Sequence, residues 1–158
     1  MRIFGIALAA TTALTLGGFS RRLLAQPGTA QPPAVPAGAP ADSSRSVWDG
    51  VYTLDQAKRG ALKSGLCVQC HGDGFMGGPA PELAGPSFAA AWNGRTVGDL
   101  FDLIRLTMPD DDPGSLSREV YADLVAYVLA VNKYPTGRTE IGVDAGPLKL
   151  IRIDATKP

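Results

Sequence analysis

Hydrophobic and polar positions divide the chain into three unlike stretches. Ile3 to Phe19 holds only apolar or small residues and Thr, with no charge. Gln26 to Ser46 has no period and is rich in Pro and Ala, as in Gln31-Pro32-Pro33-Ala34-Val35-Pro36. From Val47 onward apolar residues recur at helical spacing. Thr53-Leu54-Asp55-Gln56 has the form of a capping box, with Thr53 as N-cap and Gln56 at the third position, and predicts a helix running toward Leu66. Ala57, Gly60, Ala61 and Ser64 give that helix a small face that another helix can approach closely. Thr96-Val97-Gly98-Asp99 is a second capping signature. It predicts a helix whose apolar face is Leu100, Phe101, Leu103, Ile104 and Leu106, ended by Thr107-Met108-Pro109. Ser117 caps a third helix, Arg118 to Asn132, with Val120, Tyr121, Leu124, Val125, Tyr127, Val128 and Val131 as a broad apolar face. Tyr134-Pro135 stops it, and it is expected to pack on the small face of the first helix near Gly60.

Between these helices the pattern is irregular. His71 to Pro79 is rich in Gly and reads as a turn, and Pro79 to Pro86 as irregular structure continuing from it. After Thr136 the chain has no helical period, and Leu148-Lys149-Leu150-Ile151-Arg152-Ile153 alternates as an extended segment laid over the domain would. The chain shows no internal repeat. These divisions give residues 1–25 as a signal peptide, 26–46 as a linker, 47–136 as one domain and 137–158 as a C-terminal extension.

The signal reading rests on Arg2, the uncharged stretch after it, and Leu23-Leu24-Ala25 as a cleavage site before Gln26. The alternative is an uncleaved membrane anchor. The stretch is barely long enough for a span of about 20 residues, and Arg21 and Arg22 would then lie on the outer side, against the positive-inside tendency. Arg21-Arg22 follows the apolar stretch, so it is not a twin-arginine signal, and no Cys precedes Cys67 to take a lipid. The expected location is the periplasm, with membrane contact only if the segment is retained. Formal charge is +0 with 15 basic and 15 acidic residues. Removing residues 1–25 removes Arg2, Arg21 and Arg22 and no acids, which leaves a balance of −3. No basic run points to nucleic acid.

Cys67-Val68-Gln69-Cys70-His71 uses both cysteines and the only histidine. The spacing is that of a c-type haem attachment site, in which two thiols add to the haem vinyl groups and the adjacent imidazole ligates the iron. A redox disulfide needs a βαβ context, and structural zinc needs four ligands where this chain offers two Cys and one His. Export agrees with haem attachment, which takes place after it. A carbonyl of Pro79 or Pro81 is placed to accept the His71 Nδ1–H and orient the ring. Met76 and Met108 are the candidates for a second axial ligand. Met76 follows His71 closely and would have to cross the macrocycle within that short reach, whereas Met108 has the required reach, after a helix and before a proline, and is the favoured of the two. Asp110-Asp111-Asp112 reads either as a polar turn with Pro113-Gly114 or as an acidic patch that steers a basic partner.

Together these residues resemble class I c-type cytochromes. The resemblance lies in Cys67-Val68-Gln69-Cys70-His71-Gly72, Pro81-Glu82-Leu83-Ala84-Gly85, Trp92 through Leu100, Thr107-Met108-Pro109 and Tyr121 through Leu129, and covers about Val51 to Pro135. The Trp92-to-Pro109 part is most similar to cytochrome c modules associated with quinoprotein dehydrogenases. The resemblance implies a small all-α fold of three to four helices with long loops around one covalent haem c, and His71 and Met108 as axial ligands. It implies that Trp92 and Arg95 lie near the haem propionates, where an indole N–H and a guanidinium are suitable donors. It also implies an electron carrier and not an enzyme, passing single electrons between a dehydrogenase and a terminal oxidase or another cytochrome. The alternatives are a haem enzyme or ligand sensor with an open distal site, and a haem-free binding module. One departure stands out: Lys63 lies where the family carries an aromatic residue, four positions before the first Cys, and the Gly60-to-Cys67 spacing is one residue short. The first helix is therefore expected to pack on Tyr127 or Tyr121 in a shifted register.

Overall fold

The structure, a computed structural model, describes residues 45–158. The expected signal segment and nearly all of the expected linker lie outside the described residues. Arg45 and Ser46, assigned to the linker from sequence, already belong to the fold as strand β1 (Arg45–Ser46). The other elements are α1 (Leu54–Lys63), α2 (Gly65–His71), α3 (Gly85–Trp92), α4 (Val97–Thr107), α5 (Arg118–Val131), α6 (Ala145–Leu148) and β2 (Ile151–Arg152). The architecture is all-α, and the only sheet among the described residues is the two-residue parallel pair β1–β2. No helix among the described residues is long and apolar enough to cross a membrane.

The main helix pair is α1 on α5. Thr53 Oγ1 accepts from the Gln56 N–H at 3.1 Å, which starts α1 where its capping residues predict. Gln56, Ala57 and Gly60 form its buried side. The two backbones nearly touch at Gly60, where a Cβ would run into the Asp123 carbonyl and the Tyr127 Cβ. The predicted first helix does not continue to Leu66. The Ser64 hydroxyl donates to the Ala61 carbonyl at 2.8 Å, competing with the helical ladder, and Gly65 is a poor helix former. A new helix, α2, starts there and carries the haem-type motif.

The helix α3 was not expected: the sequence predicts irregular structure through Pro86. Pro86 sits in its first turn, where a missing N–H is harmless. Phe88 and Trp92 give α3 a buried side, and Asn132 ties it to the end of α5. Asn132 Oδ1 accepts from the Gly85 N–H at 3.0 Å while its amide donates to the Leu83 carbonyl at 2.8 Å.

The α4 capping box closes from both sides, with Asp99 N–H to Thr96 Oγ1 at 3.0 Å and Thr96 N–H to Asp99 Oδ2 at 3.1 Å. The Thr96 hydroxyl is the main cause of an Asp99 carboxyl held below the usual carboxylate range. The apolar face of α4 is narrower than predicted. Val97, Leu100 and Phe101 are buried, whereas Leu103 and Leu106 are 46% and 59% exposed. They are turned away from the side of α4 that α5 and α6 cover.

The C-terminal segment is part of the core. Ile141, Leu148, Ile151 and Ile153 are all buried. It holds a short helix, α6, against α4 and then β2, so only its last part is extended. Gln56, itself buried, clamps it to α1 by donating to the Ile141 carbonyl at 2.9 Å and accepting from the Ile141 N–H at 2.8 Å.

Candidate functional site

Cys70 and His71 lie one helical turn after Cys67 on α2. Cys67 is half-buried, Cys70 is exposed, and both thiols are free. Burial pushes the Cys67 thiol above its ordinary value. His71 is buried, and its Nδ1 lies 2.6 Å from the Pro81 carbonyl oxygen. A carbonyl only accepts, so Nδ1 carries the proton and Nε2 presents a lone pair. Of the two prolines named from sequence, Pro81 makes this contact.

The loop after α2 is bound to the back of the motif. Gly77 N–H donates to the His71 carbonyl at 2.8 Å and Ala80 N–H to the Cys70 carbonyl at 3.0 Å. Gly72 turns the chain with φ +76, and a side chain there would meet the Gly77 carbonyl. Phe75, which no sequence pattern singled out, is buried in the middle of this Gly-rich run.

Met108 caps the C-terminus of α4 in extended conformation and is half-buried. Its N–H donates to the Ile104 carbonyl at 2.9 Å, and its own carbonyl accepts from the Tyr121 hydroxyl at 2.8 Å. Met76 is 60% exposed and lines a shallow depression with Pro81.

Trp92 is buried and stacks on Phe88 with centroids 6.0 Å apart. The exposed Arg95 lays its guanidinium over the Trp92 ring at 4.2 Å, and forms no ion pair among the described residues. Their turn is pinned by the C-terminal segment: Gly94 N–H donates to the Ile153 carbonyl and Ile153 N–H to the Arg95 carbonyl, each at 2.8 Å. Asp110, Asp111 and Asp112 are exposed, in a turn closed by the Asp112 N–H on the Pro109 carbonyl at 3.1 Å. Tyr121, Asn132 and Ile153 support the site region from other elements. From sequence, Tyr121 reads as core and as a packing partner for the first helix, Ile153 only as part of the alternating tail and Asn132 only as the end of a helix.

The donor set fits a haem. Cys67, Cys70 and His71 do not converge as ligands of one common ion would, since no group of three such side chains among the described residues could hold a metal. They offer two unpaired thiols on one helix beside an imidazole whose protonated nitrogen is already engaged. Cys67 and Cys70 would hold the group by thioether bonds, and His71 Nε2 would ligate its iron.

The all-α fold and this donor set fit a c-type cytochrome. Residues 55–128 match the family model described as Cytochrome C oxidase, cbb3-type, subunit III. The matched stretch is a little under half of the chain, runs from the first turn of α1 into α5, and includes Cys67, Cys70, His71, Trp92, Arg95 and Met108. No curated protein and no solved structure gives a match. The match supports a haem-based electron-transfer cytochrome with redox partners, whose cofactor is covalently attached haem c.

Proposed function

We propose that this chain is a periplasmic mono-haem c-type cytochrome that carries single electrons from a dehydrogenase, of the quinoprotein kind, to a terminal oxidase or another cytochrome. The observation that carries the reading is the His71 Nδ1–H bond to Pro81 beside two free thiols on α2, which leaves Nε2 for iron. A bound haem supplies a one-electron iron couple. Cys67 and Cys70 would anchor it, and His71, with its ring angle set by Pro81, and Met108, from the end of α4, would ligate its iron. A His/Met pair raises the reduction potential and closes the iron to added ligands, which suits a carrier and not a catalyst. Trp92 and Arg95 act as donors toward the propionates. The similarity of residues 55–128 to an oxidase subunit family favours an oxidase as acceptor. The resemblance of the Trp92-to-Pro109 part to quinoprotein-associated modules favours that class of donor.

The test is the visible spectrum of the exported, purified protein, with acid–organic extraction of its pigment and the sequence of its mature N-terminus. A low-spin haem that resists extraction, on a chain starting at Gln26, is the expected result. A high-spin haem would favour the open-site enzyme or sensor, and pigment that washes out would end the covalent reading. Reduction by a quinoprotein dehydrogenase and oxidation by an oxidase then test the partners, and failure with both removes the proposed place in the chain.

A further inference from the structure

Phe75 has a backbone that its side chain disfavours. Its φ is +64, a region where a bulky residue is an outlier, and it is 2% exposed. Such a conformation persists only where the surroundings over-determine it. Here they do. The Phe75 ring meets Tyr127 of α5 edge-on, with centroids 5.4 Å apart and planes at 66°. Its N–H donates to the Gly72 carbonyl at 3.0 Å. Its carbonyl accepts two hydrogen bonds, from Leu83 N–H at 2.9 Å and Ala84 N–H at 3.2 Å. Phe75 thus closes a loop, and inside that loop lies Pro81, whose oxygen meets His71. Pro81 has no N–H of its own to anchor it. Its position is set by Ala80, bonded to Cys70, on one side and by Leu83, bonded to Phe75, on the other.

We infer that Phe75 is a positioning residue for the His71 ligand: by seating the loop on Tyr127 and holding Leu83, it fixes the Pro81 oxygen against Nδ1–H. This rests on the reading of His71 as an axial ligand of iron. A hydrogen bond at Nδ1 makes the imidazole a stronger donor, and hydrogen bonds weaken steeply as distance and angle depart from ideal. A stronger donor favours the oxidised iron. Loosening the Phe75–Tyr127 contact therefore weakens the donor and raises the reduction potential.

The experiment compares the holoprotein with Phe75→Leu, Tyr127→Leu and the double variant, and uses Leu148→Ala of α6 as a core control. Tyr127→Leu keeps the Cβ that packs at Gly60, so it tests the ring contact even if Phe75→Leu fails to fold. Two readouts are taken besides denaturant stability: the midpoint potential, and solvent exchange of the His71 Nδ1 proton by NMR in the reduced state. Phe75→Leu and Tyr127→Leu are expected to shift the potential upward and to speed exchange about two- to tenfold, the range that one net hydrogen bond supports. The double variant should shift less than the sum of the singles. Leu148→Ala should lose stability with neither readout moved. If both ring variants behave like Leu148→Ala, the inference is overturned. A wild-type protein without covalent haem, or with haem not ligated by His71, overturns the underlying reading and this inference with it, and is seen before any variant is made.

Discussion

The hydroxyl of Tyr121, in the first turn of α5, donates to the carbonyl of Met108 at the end of α4, at 2.8 Å. The same oxygen accepts from the Leu116 N–H at 3.4 Å, so one buried hydroxyl spans both ends of the loop that holds Asp110, Asp111 and Asp112. Tyr121→Phe keeps the ring and removes both bonds. The variant should fold, lose about 1–2 kcal/mol of stability, and let added imidazole reach the iron at lower concentration than in the wild type. An imidazole titration unchanged from wild type would show that Tyr121 does not hold Met108 in place.

Met108 and Met76 are separated by a direct comparison. Met108→Ala should lower the reduction potential and open the iron to exogenous ligands, because the thioether of a His/Met pair is what raises the potential. Met76→Ala should leave both unchanged, since Met76 is 60% exposed in a shallow depression that it lines with Pro81. The reverse outcome would transfer the ligand role to Met76.

What the sequence makes legible here is what is encoded locally. Thr53, Thr96 and Ser117 each cap a helix with their own side chain, and α1, α4 and α5 begin where those residues stand. The Cys67-to-His71 motif is equally local, since one helical turn brings its groups to one side of α2. The features that were not legible depend on distant partners or on a choice between competing local ones. The break at Ser64 turns on one hydroxyl choosing the Ala61 carbonyl over solvent. The helix α3 needs Asn132 of α5 to satisfy its first N–H. Whether Pro79 or Pro81 meets His71 depends on the path of a loop tied down at Phe75. The aromatic neighbour of Tyr127 is Phe75, which follows the motif in sequence and is set against α5 by the path of that same loop. Leu103 and Leu106 share the apolar period of α4, and only the positions of α5 and α6 decide that they are exposed.

Gly60→Ala tests the α1–α5 crossing. The added methyl would overlap the Asp123 carbonyl, which is backbone and cannot swing aside, so the helices must separate. Overpacking of this kind costs about 1–3 kcal/mol, outweighing the helix-propensity gain of about 1 kcal/mol that Ala brings over Gly. Chemical denaturation should show a lower midpoint for Gly60→Ala. A midpoint equal to or above that of the wild type would mean that the helices are not in contact at this position.

Acid should loosen the C-terminal segment through Glu140. Its carboxylate accepts from Arg59 Nη1 at 3.0 Å, Arg59 Nη2 at 2.8 Å and Thr53 Oγ1 at 3.3 Å. Arg59 at the same time grips Asp123 of α5 through Nε at 3.0 Å and Nη2 at 2.8 Å, so one guanidinium joins α1, α5 and the tail. The hydrogen bond from Arg59 is the main cause of a Glu140 carboxyl held below its ordinary value of 4.5, and the two carboxylates hold Arg59 charged above its usual range. Well above pH 4.5 the contribution of Glu140 is present in full. As the pH falls through that value the unfolded chain takes up the proton first, so it binds more protons than the folded chain and stability declines. The decline ends once the folded Glu140 is protonated as well. Glu140→Gln removes the titrating group. Its stability should be slightly lower at neutral pH, as expected for an exposed pair, and should fall less steeply than that of the wild type on the acid side. Denaturant midpoints measured from neutral pH to about pH 3 decide the matter: curves that run parallel for the two proteins would show that Arg59 and Glu140 do not stabilise the tail.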